Sequence, residues 1–84
     1  MSNLKKILMV DDDADLREAL ADQLVITEEF DVFEAGTGAD GLAKASDQHY
    51  DLVILDVGLP DMDGRELCRL MRKHDVKCPI VMLT

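Results

Sequence analysis

Basic residues are scarce in this chain. Lysine and arginine total 9 against 18 aspartates and glutamates, giving a net charge of −9 and a sequence pI near 4.4. That shortage argues against direct nucleic-acid binding, which needs a basic footprint. It argues equally against docking on an anionic membrane surface. Long apolar runs are missing too: none approaches the roughly 18 residues that a membrane-spanning helix needs. The opening Met1-Ser2-Asn3-Leu4-Lys5-Lys6 has charges but no apolar stretch of secretory-signal length, so the cytoplasm is the expected location. Cysteine is rare. Cys68 and Cys78 lie outside any CxxC pattern and read as small reduced core residues. There is no internal repeat, linker or low-complexity stretch. With 84 residues, the chain reads as one domain over 1–84. Hydrophobic residues make up 48%, too many for a disordered acidic tail.

Acids at the ends of apolar runs are the most informative feature present. Ile7-Leu8-Met9-Val10 leads straight into Asp11-Asp12-Asp13, and Leu52-Val53-Ile54-Leu55 leads into Asp56. Both runs are short, apolar and partly β-branched, as in buried strands of a parallel sheet. Open α/β sheets place their working site outside the carboxyl ends of the strands. If the two strands are neighbours, Asp11, Asp12 and Asp56 converge. Two carboxylates roughly 5 Å apart repel by about 3 kcal/mol at an effective dielectric near 20. Such a gathering implies a cation or a reaction, and the hard-cation choice for all-oxygen donors is Mg²⁺.

The elements alternate along the chain. Lys5–Val10 is expected as the first strand. Ala14–Thr27 is expected as a helix, capped by Asp13, with Leu16, Leu20 and Leu24 in a stripe and Ala19 beside them. Phe30–Ala35 reads as the second strand. Thr37 is placed to cap a short helix running to about Ser46. Asp51–Leu55 reads as the third strand, Gly64–His74 as the third helix, and Pro79–Leu83 as the fourth strand. This β-α-β-α-β-α-β order with short connections implies an α/β doubly wound parallel sheet.

The loop between the third strand and third helix is Val57-Gly58-Leu59-Pro60-Asp61-Met62-Asp63. Pro60 fixes φ and shapes the exit from the strand. Asp63-Gly64 is a turn dipeptide that can also start the next helix. Taken together, Val10-Asp11-Asp12-Asp13, strand-terminal Asp56, Leu59-Pro60-Asp61-Met62-Asp63-Gly64 and Pro79-Ile80-Val81-Met82-Leu83-Thr84 resemble the receiver domain of bacterial two-component response regulators. The match covers the chain in order and spacing.

That resemblance implies a flavodoxin-like topology with strand order 2-1-3-4. It implies that Asp56 is the phosphoacceptor, taking a phosphoryl group from a histidine of a sensor kinase or phosphotransfer protein. It implies that Asp12 and Asp56 ligate Mg²⁺, that Gly58 adds its backbone carbonyl, and that Asp11 acts through bound water. Thr84 would place its hydroxyl on a phosphoryl oxygen in the active state. The domain would assist its own phosphorylation and dephosphorylation without being a turnover enzyme. The residue types suit this chemistry. Phosphoryl transfer needs positioning and charge neutralisation, and a carboxylate can serve as the nucleophile.

The resemblance also implies elements that these 84 residues lack: a fifth strand carrying a lysine and an aromatic residue, and two further helices. On that expectation the chain is a truncated receiver. Alternate members of Leu52–Leu55 and Ile80–Leu83 would face water, and the truncated chain would self-associate.

Three other readings compete. Gly36-Thr37-Gly38-Ala39-Asp40-Gly41 is a literal GxGxxG, the dinucleotide-binding fingerprint. Asp11 and Asp13 are spaced like nucleophile and acid/base of a haloacid-dehalogenase-type phosphohydrolase, which is the enzyme alternative. Asp11, Asp13 and Asp15 begin like a calcium loop, but Leu16 stands where that loop needs glycine. His49 and His74 have no metal-site spacing and read as solvated. Arg65, Arg69, Arg72 and Lys73 read as a solvated basic side of the third helix.

Overall fold

Apolar strands and capped helices alternate as their sequence periods dictate. A computed structural model describes residues 4–83. Its elements are β1 (Lys5–Val10), α1 (Ala14–Ile26), β2 (Phe30–Ala35), α2 (Gly38–Asp47), β3 (Leu52–Asp56), α3 (Gly64–Lys73) and β4 (Ile80–Leu83). The strands form one parallel sheet in the order β2-β1-β3-β4. This is the order that the resemblance implied.

The helices start where short polar side chains take orphan N–H groups. Asp13 accepts from the Leu16 N–H at 3.0 Å, Thr37 from Asp40 at 3.1 Å, and Asp63 from Arg65 at 2.8 Å. The main core lies between the sheet and the α2–α3 pair. Leu8, Val10, Val53, Leu55, Leu67 and Met71 are fully buried there. Each such side chain contributes about 1.5–3 kcal/mol of burial. Ile7 and Met9 alternate to the opposite face and are buried as well.

The α1 stripe differs from expectation. Leu16 is 42% exposed and Ala19 is exposed; the inward side is Arg17, Leu20, Ala21 and Leu24. The helix is rotated so that Arg17 reaches beneath the β1 end, which turns Leu16 outward. The strip on the outer half of that face is also less open than expected. Val81 is 47% exposed, but Leu52, Ile54 and Leu83 are half-buried. Register explains part of this: Ile54 stands between Met9 and Val81 on adjacent strands, and neighbours on one sheet face shield each other.

Element ends shift by a residue. Helix α1 stops at Ile26, where the Thr27 hydroxyl turns back to the Leu24 carbonyl at 2.8 Å and Glu28 takes φ 61°. Helix α3 stops at Lys73. Asp75 takes φ 66°, and Arg72 Nη1 donates to the Val76 and Cys78 carbonyls, each at 2.8 Å. Helix α2 runs on to Asp47. Strand β3 begins at Leu52, where Asp51 turns its carboxylate onto the Lys6 N–H at 2.7 Å, and it includes Asp56, which pairs with Leu83 of β4. Pro79 lies just outside β4.

Gly64 marks the tightest approach in the fold. A Cβ there would lie 2.2 Å from the Asp56 carbonyl oxygen, which is backbone and cannot swing away. A Cβ on Gly58 would meet nothing within 4 Å. Gly64→Ala is therefore expected to destabilise the protein by about 1–3 kcal/mol, as overpacked sites do. Gly58→Ala should stay within about 0.5 kcal/mol. Urea unfolding of the two variants checks this; equal effects would contradict the packing argument.

Candidate metal and phosphoacceptor site

The sheet register builds the site. Val10 pairs with Leu55, so Asp11 and Asp56 leave adjacent strands side by side at the carboxyl edge. The carboxylates of Asp11, Asp12 and Asp56 each offer an oxygen within 4.8 Å of the other two. Asp11 is buried, Asp56 half-buried and Asp12 exposed. Among the described residues this is the one group of three or more potential ligand side chains close enough for a shared ion.

The donor set fits Mg²⁺. Octahedral coordination at about 2.1 Å separates trans oxygens by about 4.2 Å. Spacings up to 4.8 Å close with small side-chain rotations, and a water can stand in where a carboxylate does not reach the ion directly. All donors are hard oxygens, as this ion prefers.

Asp11 is pinned on several sides. Its N–H donates to the Ala35 carbonyl at 3.0 Å. Its Oδ1 accepts from the Asp13 N–H at 2.9 Å. Its carbonyl accepts from Arg17 Nη1 at 2.5 Å. Asp13 itself is occupied as the α1 cap and stands outside the cluster.

The loop from Val57 to Asp63 is closed by a bridge between Gly58 and Asp63 and by the Gly64 N–H donating to the Val57 carbonyl at 2.8 Å. Leu59 is buried in the core while Pro60 is exposed. Asp61 reaches across to α2: its carboxylate accepts from the Gly38 N–H at 2.8 Å and the Ala39 N–H at 2.9 Å. Met62 packs where a Gly38 Cβ would stand, with Met62 Cγ 2.5 Å from that point. In the sequence Asp61 shows no role beyond the motif, since its partners are 23 and 22 residues away.

This latch disposes of the dinucleotide reading. A pyrophosphate would need the α2 N-terminus, and the Asp61 carboxylate already occupies it. The calcium-loop reading fails likewise, because Asp13 caps a helix and Asp15 lies in its first turn. On α3, Arg65 pairs with Asp63 and Arg69 with Glu66, so half of the basic side, two of its four residues, has an acidic partner. His49 and His74 are exposed. A cavity of about 320 Å³ lies at the opposite end of the sheet, floored by Ala45, Tyr50 and Val76, remote from the carboxylates. Thr84 lies outside the described residues.

The local field follows from these contacts. The Gly38 N–H first, then that of Ala39, holds the Asp61 carboxyl below its ordinary 3.8. The Arg65 side chain, then its N–H, lowers Asp63 to about 2.

A family model described as the response regulator receiver domain matches residues 7–84. The chain is 41% identical over 80 residues to the alkaline phosphatase synthesis transcriptional regulatory protein PhoP of Bacillus subtilis, covering 95% of this chain and 33% of that protein. It is 46% identical over 78 residues to the sensor protein EvgS of Escherichia coli, covering 93% of this chain and 6% of that protein. It therefore spans a third or less of the length of these relatives. The solved structure of the chemotaxis protein CheY4 of Vibrio cholerae matches with a TM-score of 0.84 at 32% identity, covering 94% of this chain and 67% of that one. The phosphohydrolase alternative through Asp11 and Asp13 finds no support in these relatives, and the capping role of Asp13 contradicts it. No helix among the described residues is long and apolar enough to cross a membrane.

The latch generates a pH-dependent expectation. Asp61 has a folded-state pKa below its unfolded value, so its contribution to stability is present above 3.8 and is lost as the pH falls through the lower folded value. Asp61→Asn should therefore melt at a lower temperature than the parent at neutral pH, with the gap closing in acid. Paired thermal melts along a pH series check this; a gap that widens in acid would contradict it.

Proposed function

The chain belongs to the response regulator receiver family and is a phospho-accepting signalling domain; within that role, we propose that Asp56 is the phosphoacceptor. The observation that carries this is the convergence of Asp11, Asp12 and Asp56 at the carboxyl edge of β1 and β3. Asp56 is the half-buried member, reachable yet fixed as the last residue of a strand.

The phosphoryl donor is a phosphohistidine on a sensor kinase or phosphotransfer protein. A carboxylate oxygen of Asp56 attacks phosphorus, and the oxygen–phosphorus bond forms. The phosphorus–nitrogen bond breaks, and its electron pair returns to the imidazole, which takes a proton from water. The product is an acyl phosphate on Asp56. Asp12 and Asp56 would hold Mg²⁺ directly, with the Gly58 carbonyl as a third donor and Asp11 through water. When bound, Mg²⁺ neutralises charge between the anionic nucleophile and the phosphoryl oxygens. The chain's own work is to keep Asp56 in line and to hold Asp12 beside it. Pro60 and Gly64 shape the loop that presents Gly58. The family resemblance gives Thr84, which lies outside the described residues, the role of placing its hydroxyl on a phosphoryl oxygen in the active state. The domain assists its own phosphorylation and dephosphorylation, and the cytoplasm is its proposed location.

One experiment tests the site as a whole. Asp56→Asn should abolish phosphoryl uptake from the kinase, and the label on the unsubstituted protein should be stable in acid and labile in base. Mg²⁺ at tenfold its dissociation constant should stabilise the folded protein by about 1.4 kcal/mol, and Asp12→Ala should remove most of that. Labelling that survives Asp56→Asn, or steady phosphate release from a model ester, would overturn the assignment.

The isolated 84-residue chain carries a second expectation. The outer edge of β4 has no strand partner among the described residues, and Val81 is exposed beside it. Unpaired edges recruit further strands, so we propose that the isolated chain self-associates there. Sedimentation should give a mass above 9.3 kDa; a monodisperse, cooperatively melting monomer would overturn this.

A further inference from the structure

We infer that Arg17 is a positioning residue for the metal-holding loop, acting through the backbone of Asp11. The inference rests on the reading of Asp11 and Asp12 as residues that hold Mg²⁺.

Arg17 lies in the first turns of α1, with its side chain only 18% exposed. One arm, Nη1, donates to the Asp11 carbonyl at 2.5 Å. The other, Nε, donates to Glu34 Oε1 on β2 at 3.2 Å. Glu34 is secured in turn, because its carbonyl accepts from Lys44 Nζ of α2, which also pairs with Asp40. A chain of contacts thus runs from α2 through β2 and α1 to the carbonyl between Asp11 and Asp12.

That carbonyl is a sensitive point. Residues 11 and 12 supply two of the three converging carboxylates, and without a cation these repel Asp56. Rotation of the loop away from β3 would relieve that repulsion by separating the charges. The Asp11 N–H and Oδ1 contacts hold the residue to β2 and to Asp13. The Arg17 contact adds the anchor at the carbonyl end, where the chain turns into Asp12. A forked guanidinium can hold the carbonyl and Glu34 together; an ammonium is a point charge that serves one position at a time.

Electrostatics and positioning predict opposite signs, which makes the role testable. Arg17 is a cation close to a cation site, so on charge alone Arg17→Ala should tighten Mg²⁺. If Arg17 acts by holding the loop, its loss should weaken Mg²⁺, as loss of an outer-shell partner does, on the order of 10-fold.

The test is calorimetric titration of Mg²⁺ alone into the whole chain and its variants, beside thermal melts in chelator. Asp12→Ala is the blank. Arg17→Ala is expected to raise the dissociation constant about 10-fold. Arg17→Lys, which keeps the charge and loses the fork, should raise it less, as should Glu34→Gln, which keeps Arg17 and removes its ion-pair partner. A purely structural role would lower melting temperatures in chelator while leaving the dissociation constant unchanged, and that result overturns the inference. Unchanged or tighter binding by Arg17→Ala overturns it too. If that variant does not fold in chelator, Glu34→Gln carries the test, and unchanged binding there is the refuting result. A parent that titrates like Asp12→Ala shows that the site reading itself has failed, and the inference falls with it. Binding by the parent with no response to the variants removes only the role of Arg17.

Discussion

Carboxylates held within the reach of one ion repel one another until the ion arrives, so the backbone beneath them must resist that force by itself. The remaining features of the structure answer to this constraint. The first answer is the ladder. Asp11 and Asp56 emerge from paired parallel strands whose side chains on one face are fully buried, so neither strand can slide without reversing which residues face the core. The second answer is the packing of α3 on β3. The start of α3 lies so close to the Asp56 carbonyl that only glycine fits at position 64. Asp56 therefore cannot retreat along its strand, and Asp11 is tied at its N–H, carbonyl and carboxylate.

The Asp61 latch extends the same logic to the loop that carries Gly58. Two charge-assisted hydrogen bonds join this loop to α2, and the exposed α2 N-terminus favours an anion there. Met62 over Gly38 seals the joint. The loop and the start of α2 consequently move together if they move at all. In a signalling domain this matters, because a change at the carboxylates has a direct mechanical path to the α2 surface.

Much of this was legible in the sequence, and what was not has a physical reason. Apolar runs ending in acids identified β1 and β3, and the caps Asp13, Thr37 and Asp63 marked helix starts, because capping is local chemistry within three residues. Helix ends were harder. The residues in the left-handed region after α1 and α3 are Glu28 and Asp75, with no glycine to announce them. The α1 stripe was misjudged because leucine spacing says which residues are apolar, not which way the helix rolls. The contacts of half-buried Arg17 with the Asp11 carbonyl and Glu34 go with that roll, and an inward-facing arginine carries no periodic signal. Asp61 was invisible as a latch for a similar reason. Its partners are backbone N–H groups on a distant element, which no side-chain pattern encodes.

The degree of enclosure bears on what the site does. A pocket that retains a small substrate buries most of it, and the cavity floored by Ala45, Tyr50 and Val76 lies at the far end of the sheet, away from the carboxylates. At the functional edge the acids grade from buried Asp11 through half-buried Asp56 to exposed Asp12. On the proposed reading of Asp56 as phosphoacceptor, such a graded edge suits a donor group that arrives on another protein and approaches from solvent. It also suits a product that must be seen. On the proposed reading, an acyl phosphate on half-buried Asp56 would add negative charge beside exposed Asp12, where another protein can meet it.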